Sequence, residues 1–334
     1  MGALQRKVRG EMADSSMEIR VEQPEELLDA ETLKMLMQRV NGKAWIQVIT
    51  HFGAVILTGY LLYSARETFW SVPLFAVHGT LLAYTYAAQH EFSHLTPFKT
   101  RWLNIYWGHV CGFLGFFPYW FDRTAHMLHH QYTSIRGKDT ELETLRPETK
   151  PFTVVSFLWT FSAIPSWLAL WQILLAHCLG KIDPLEEESF DQKDIRRFIV
   201  EARVYAFFYA MIFGLSLYYG SWVAVQLWIA PLLCFKFMHH VQNFAEHYGL
   251  PKIANVMDST RTIYTNPINR WIVWNMTYHT AHHCFANVPF YNLAQLNRHI
   301  RPHVRHCLPG YLSFVTKVFG CAIRGERYGY EGLM

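Results

Sequence analysis

Four long stretches without Asp, Glu, Lys or Arg set the limits on any fold this chain can adopt. Lys43 and Arg66 bracket 22 such residues, and residues 68–90 give 23 more. Residues 151–180 give 30, and residues 204–235 give 32. About 20 apolar residues cross the ~30 Å hydrocarbon core of a bilayer as a helix. Buried helices of a large soluble protein would have to repeat that pattern four times. Only 17% of the 334 residues are charged, against about a quarter in ordinary soluble domains. The chain therefore reads as an all-α integral membrane protein of about four spans.

Residues 1–43 are polar and carry Arg6, Lys7, Arg9, Arg20, Lys34, Arg39 and Lys43, without the short apolar core and cleavage pattern of a secretory signal. That positive charge, against only Arg66 and Glu67 after the first run, puts the N-terminus on the cytoplasmic side. The expected organisation is a cytoplasmic segment 1–43, a membrane domain 44–300 and a cytoplasmic tail 301–334. The six cysteines show no CxxC or other metal spacing, and a net charge of +4 gives no nucleic-acid signature.

Three histidine clusters carry the chemistry: His90-Glu-Phe-Ser-His94, His126-Met-Leu-His129-His130 and His279-Thr-Ala-His282-His283. Imidazoles at i, i+3 and i+4 share one face of a helix. Neutral imidazole is a common metal ligand, and eight are too many for one four-coordinate zinc. Two redox metals a few Å apart suit them. His247, in Asn243-Phe-Ala-Glu-His247-Tyr-Gly-Leu250, is expected as a ninth ligand from another helix. His239 and His240 precede it and are expected at the interface or beside the ligands.

A shared site demands that all clusters emerge on one side. The first two runs then form a hairpin, out over 44–65 and back over 68–89. The next apolar piece, 102–121, is broken by Gly108, Gly112, Gly115 and Pro118, and reads as re-entrant or interfacial. Runs 151–180 and 204–235 either span once each, or the first lies in the interface and the second turns at Gly220-Ser221. Pro165 divides the first run and favours the hairpin. From Lys236 onward the chain is expected in the cytoplasm, as a helical cap carrying the di-metal site.

The motifs HEFSH, HMLHH, HTAHH and NFAEHYGL together resemble the membrane fatty-acid desaturase and hydroxylase superfamily, the integral-membrane di-iron oxidases. Residues 260–279, ending in Trp274-Asn-Met-Thr-Tyr-His279, and 285–293, Phe285-Ala-Asn-Val-Pro-Phe-Tyr-Asn-Leu293, are most similar to its bacterial-type branch. The NxxEHYGL element is also similar to membrane alkane hydroxylases. The resemblance covers residues 45–300 and departs at Cys284-Phe285-Ala286, where many relatives carry a proline. It implies two iron ions, O2 as co-substrate and oxidation of an unactivated C–H on a fatty-acyl or related chain, with desaturation as the leading outcome. Hydroxylation of an alkane, fatty acid or terpenoid, or decarboxylation of a fatty acid to a terminal alkene, would use the same ligands. A membrane metal transporter or non-enzymatic metal-binding scaffold is the reading from another class, but its ligands would usually sit within the spans.

Hydrogen-bond acceptors should orient the imidazoles. Candidates are Glu91, Asp122, Asp139, Glu143, Asn243, Glu246 and Asn275. Asp139 lies in an acidic segment, Arg136-Gly-Lys-Asp139-Thr-Glu141, similar to one in the bacterial-type branch. An asparagine at the position of Asn243 meets a metal through water in some relatives, and Asn275 is four residues before His279, on the same helical face. Trp107, Phe113, Phe116, Phe117, Tyr119 and Trp120 either line an apolar substrate slot or form a lipid-facing belt. The sequence contains no nucleotide-binding fingerprint, cluster-binding cysteine set or haem motif, so electrons come from a separate ferredoxin, rubredoxin or cytochrome b5 with its reductase. Arg298, Arg301, Arg305 and Lys317 form either a docking face for an acidic carrier or a contact with anionic lipid or a substrate carboxylate.

Overall fold

A computed structural model describes residues 27–135, 137–139, 141, 152–253 and 255–329. Glu143 lies outside these residues, as does most of segment 1–43. The described chain is helical, with one two-residue parallel pairing, Thr262–Ile263 with Cys307–Leu308.

After a short α1 (Ala30–Leu36), capped by Asp29 through the Thr32 amide at 2.8 Å, the first apolar run forms α2 (Asn41–Ser64). The second run breaks at Tyr84 into α3 (Ser71–Ala83) and α4 (Thr85–Ser93). α5 (Arg101–Leu114) and α6 (Tyr119–Tyr132) follow, joined by a sharp reversal in which Phe116 adopts φ +57. The third run gives α7 (Val154–Phe161) and α8 (Ile164–Cys178), bent by 48° where Ala163 is left-handed just ahead of Pro165. Then come α9 (Pro184–Ser189) and α10 (Gln192–Tyr218). The fourth run reverses at Gly220, with φ +60, as glycine permits. A π-helical turn, Val225–Ile229, runs without a break into α11 (Ala230–His247). Short α12 (Val256–Ser259), α13 (Pro267–Ile272), α14 (His279–Cys284), α15 (Phe290–Ile300) and α16 (Tyr311–Arg324) complete the chain.

Among the described residues, α2 and α10 are long and apolar enough to cross a membrane, and the bent pair α7–α8 adds a third if counted as one span. The second run, expected as one helix, is divided at Tyr84, and the 13 residues of α3 alone reach only ~20 Å. Both long helices turn large apolar side chains outward, among them Ile46, Ile56, Leu57 and Tyr60 on α2 and Phe207, Phe213 and Leu217 on α10. Several polar groups that face inward find internal partners. His78 meets Thr58 Oγ1 at 2.9 Å and the Leu227 carbonyl at 2.7 Å, and His51 accepts from Trp274 Nε1 at 2.8 Å. This inversion suits a lipid surroundings, where every buried polar group needs an internal partner.

α3 packs along α11, α2 along α3, α4 along α5 and α8 along α10. Gly79 brings α3 against α11: a Cβ there would lie 2.6 Å from the Pro231 carbonyl oxygen. The segment after residue 300 is not a loose tail. Phe314 and Val318 of α16 are buried with Phe157 and Phe161 of α7 and Phe244 of α11.

Candidate metal centre

Four elements bring nine imidazoles together. α4 carries His90 and ends at His94, α6 carries His126, His129 and His130, α11 ends on His247, and α14 carries His279, His282 and His283. One ring nitrogen from each of His90, His94, His126, His130 and His282 lies within 4.8 Å of the others. A second group joins His129, His247 and His283 within the same limit. His279 adjoins it, its Nε2 2.7 Å from that of His247. The rings of His130 and His283 stack at 4.2 Å and link the two groups.

Orientation comes from the other ring nitrogen. His126 Nδ1 lies 2.7 Å from Glu141 Oε1, and His129 Nδ1 lies 3.0 Å from both oxygens of Asp139. His247 Nδ1 meets the Ser259 carbonyl at 3.0 Å, and His283 Nδ1 meets Thr133 Oγ1 at 3.2 Å. Glu246 lies 3.6 Å from His279 Nδ1, while Glu91 stands between His90 and His282 at 3.6 and 3.9 Å. An Nδ1–H donated outward leaves the Nε2 lone pair pointing inward, as metal-ligating histidines are commonly held. Nε2 atoms do converge: those of His94 and His126, and of His126 and His130, are 3.0 Å apart, and those of His130 and His282 are 3.1 Å apart. The buried Nε2 atoms of His90 and His283 have no hydrogen-bond partner. Burial pushes His126 down to about 3, and burial with neighbouring imidazoles holds His94, His130, His279, His282 and His283 well below the ordinary histidine range. Neutral imidazole is the ligating form. The donor set thus fits two borderline metals such as iron.

Of the expected acceptors, Glu91, Asp139 and Glu246 stand beside imidazoles. Asn243 lines a cavity beneath the cluster with His239, Gln242 and Glu246. Among the described residues, Asp122 makes no hydrogen bond to an imidazole. It accepts from Gln89 at 2.9 Å, Tyr86 at 3.1 Å and Ser93 at 3.5 Å, and burial raises its carboxyl to about 7. Asn275 is not on the helical face of His279. Trp274 and Asn275 are both left-handed, at φ 52 and 59, so α14 starts only at His279, and the Asn275 amide donates to the Phe290 carbonyl. Glu141, on His126, was not among the expected acceptors; its spacing in Asp139-x-Glu141 is the signal that would have found it. His240 bonds to Ser166 Oγ at 2.9 Å, away from the cluster.

A second, apolar cavity is lined by Phe117, Phe121, Ala125, Ile173, Leu185 and Phe190, with Asp122 and Glu186. Tyr86 and Glu141 line both cavities, so the apolar one adjoins the cluster. Only Phe117 of the expected slot aromatics lines it. Trp107 packs on Phe52 at 4.8 Å, Phe113 on Tyr209 at 4.7 Å and Phe116 on Trp228 at 4.9 Å. The Tyr119 hydroxyl donates to the Phe92 carbonyl, and Trp120 faces Arg197. The reversal at Phe116 turns these side chains into helix contacts. Arg298, Arg301, Arg305 and Lys317 are exposed, and Arg305 pairs with Asp258 at 2.6 Å.

Apolar outward helix faces, an imidazole group able to hold metal and an adjoining apolar cavity suit a membrane protein that handles an apolar chain beside a metal site. The chain belongs to the fatty acid desaturase family, whose model it matches over residues 39–314. It is 23% identical over 283 residues to the sn-1 oleoyl-lipid 12-desaturase of Picosynechococcus sp., covering 79% of this chain and 78% of that protein. It is 26% identical to the sphingolipid delta(4)-desaturase of Xenopus tropicalis, covering 92% of this chain and 86% of that protein. It is 29% identical to the sphingolipid delta(4)-desaturase/C4-monooxygenase of Mus musculus, covering 85% of this chain and 81% of that protein. Membership makes it an enzyme of the oxidoreductase class.

Proposed function

We propose that the chain is an O2-dependent, non-haem di-iron desaturase of a membrane lipid chain. One observation carries this reading: two imidazole groups, linked through the His130–His283 stack, border a cavity that shares Tyr86 and Glu141 with an apolar cavity. His90, His94, His126, His130 and His282 would hold one iron, and His129, His247, His279 and His283 the other. When bound, the iron pair supplies the oxidising power from O2 that an unactivated methylene requires.

The chain's own groups prepare that site. Glu141 and Asp139 accept from the Nδ1–H of His126 and His129 and keep the Nε2 lone pairs inward, with Glu91 and Glu246 beside His90, His282 and His279. Phe117, Phe121, Ile173, Leu185 and Phe190 offer a dry wall that aligns a methylene chain and excludes water. Desaturation requires that oxygen not rebind to the carbon after the first hydrogen is lost, which depends on holding the chain to sub-Å tolerance.

The four-span arrangement and the cytoplasmic site belong to the same proposal. α2, α3–α4, α10 and the 223–247 helix would cross, and the N-terminal positive charge supports a cytoplasmic cluster. Electrons would come from a separate carrier, with exposed Arg298, Arg301 and Lys317 as its basic landing surface. The monooxygenase in the name of the mouse relative supports hydroxylation as the second outcome.

Mass spectrometry of products formed under 18O2 by the iron-loaded protein with a surrogate reductase decides between these outcomes. Loss of two hydrogens without label is the expected result, and label in the product would replace desaturation by hydroxylation. Fewer than two metals per active chain would overturn the di-iron assignment.

A further inference from the structure

We propose that His239 hydrogen-bonds and orients the small oxygen- or nitrogen-donor molecule that enters the polar cavity bordered by both imidazole groups. The inference rests on the di-metal reading above and adds a residue to its centre.

Lys236 was expected to begin the water-exposed part of the chain, yet one face of α11 stays buried from Lys236 to His247. His239, Gln242, Asn243 and Glu246 follow one another on that helix at i, i+3, i+4 and i+7, and all four line one cavity. The same cavity is walled by His90 and His126 of the first imidazole group and by His129 and His247 of the second. His239 belongs to neither group, but it faces the space that both metals would border.

His239 is only 7% exposed, and among the described residues neither of its ring nitrogens makes a hydrogen bond, the Nδ1 being fully buried. That sets it apart from the other buried imidazoles outside the cluster on the long helices. His51 meets the Leu81 carbonyl, His78 meets Thr58, His177 meets Glu186 and His240 meets Ser166. A neutral imidazole has one N–H to donate and one lone pair to offer, and a buried polar atom without a partner calls for an explanation. Its neighbours provide no acceptor. The Tyr86 and Tyr84 rings lie 4.2 and 6.4 Å away, but their hydroxyls donate to Asp122 and to the Met238 carbonyl. The two carboxylates on the cavity are engaged as well: Glu141 lies 2.7 Å from His126 Nδ1, and Glu246 accepts from Gln242 at 3.0 Å. The partner must then come with the cavity's occupant. Dioxygen, water or a small anion taken up beside the metals carries the lone pair that the protein does not supply.

Azide titrated into the oxidised, iron-loaded protein tests this without turnover, with metal counted by mass spectrometry and azide followed by its visible charge-transfer band. His239→Leu is expected to keep the wild-type metal count and to bind azide about tenfold or more weakly, the worth of a hydrogen bond to a charged group. His239→Gln keeps a donor and should restore most of the affinity. Should the leucine variant not fold, the azide infrared stretch in H2O and in D2O is compared between the wild type and His239→Gln. A solvent shift that differs between the two supports the contact, and identical stretches overturn it. Unchanged azide affinity in folded His239→Leu overturns the proposal, as does loss of metal from that variant, which would make His239 itself a ligand. Two metals per chain without azide uptake by the wild type overturn the contact and leave the metal pair standing. Azide uptake that depends on His239 in a protein holding one metal would instead overturn the pair and leave the contact standing.

Discussion

Gly108 on α5 sits against the Tyr119 ring, and replacing it by alanine tests how tightly the cluster-bearing helices are locked. A Cβ at this position would lie 2.6 Å from Tyr119 Cδ2 and 2.7 Å from Cζ, where carbon contacts normally sit at ~3.5–4 Å. The ring must retreat by about 1 Å. It is fully buried, touches His109 and Trp120 at centroid distances of 5.0 and 5.3 Å, and its hydroxyl donates at 3.0 Å to the carbonyl of Phe92, between His90 and His94. Overpacking of this kind costs about 1–3 kcal/mol, and losing the hydroxyl bond adds about 1 kcal/mol. Helix propensity returns about 0.5–1 kcal/mol, leaving a net loss of about 1–3 kcal/mol. Gly108→Ala should lower the melting temperature by several degrees. Tyr119→Leu introduced into that background should recover much of the steric part. Melting of both variants in one detergent measures the effect. An alanine variant that melts with the wild type, or one that the leucine does not relieve, refutes the argument.

Other perturbations address the centre more directly. Glu141→Gln keeps the shape beside His126 but removes the charge, and should weaken metal binding by about 10–100-fold in a chelator competition; unchanged affinity would remove Glu141 from the site. Glu201 of α10 accepts from the Tyr119 and Trp120 amides at 3.0 and 2.8 Å, capping an α6 that has no cap of its own. Glu201→Ala should therefore cost about 1–2 kcal/mol or more in thermal melts, with Glu201→Gln milder. Stripping the metal with a chelator should destabilise the protein by about 4 kcal/mol if metal is normally present at a thousand times its dissociation constant. Identical melts before and after stripping would count against any bound metal.

What was legible in the sequence follows the range of the interactions. The histidine clusters could be read because i, i+3 and i+4 spacing is a local property of a helix, and the turn at Gly220 because glycine tolerates a positive φ. Asn275 was misplaced because helical phase was carried back through Trp274 and Asn275, whose left-handed backbone ends it. The slot aromatics were misplaced for a similar reason: one residue, Phe116, reverses the chain and redirects its neighbours. A count of uncharged residues does not register the break at Tyr84, which divides an apolar run without any polar signal. Nor does it show that Lys236 is roofed by Tyr86 and Trp167, two rings distant in sequence.

The π turn at residues 225–229 has a mechanical consequence. It holds one residue more than the α-helix it interrupts, and one residue is worth about 100° of rotation. Within it, Trp228 donates to the Leu114 carbonyl at 2.8 Å and the Leu227 carbonyl meets His78. Below it, the same rod presents Lys236, Asn243 and His247 inward. The extra residue acts as a phase shifter, letting one helix satisfy two partners at angles that a regular helix does not reconcile. Deleting any one of the five should leave the helix intact and yet turn its two ends against each other, so that either the hairpin or His247 loses its register.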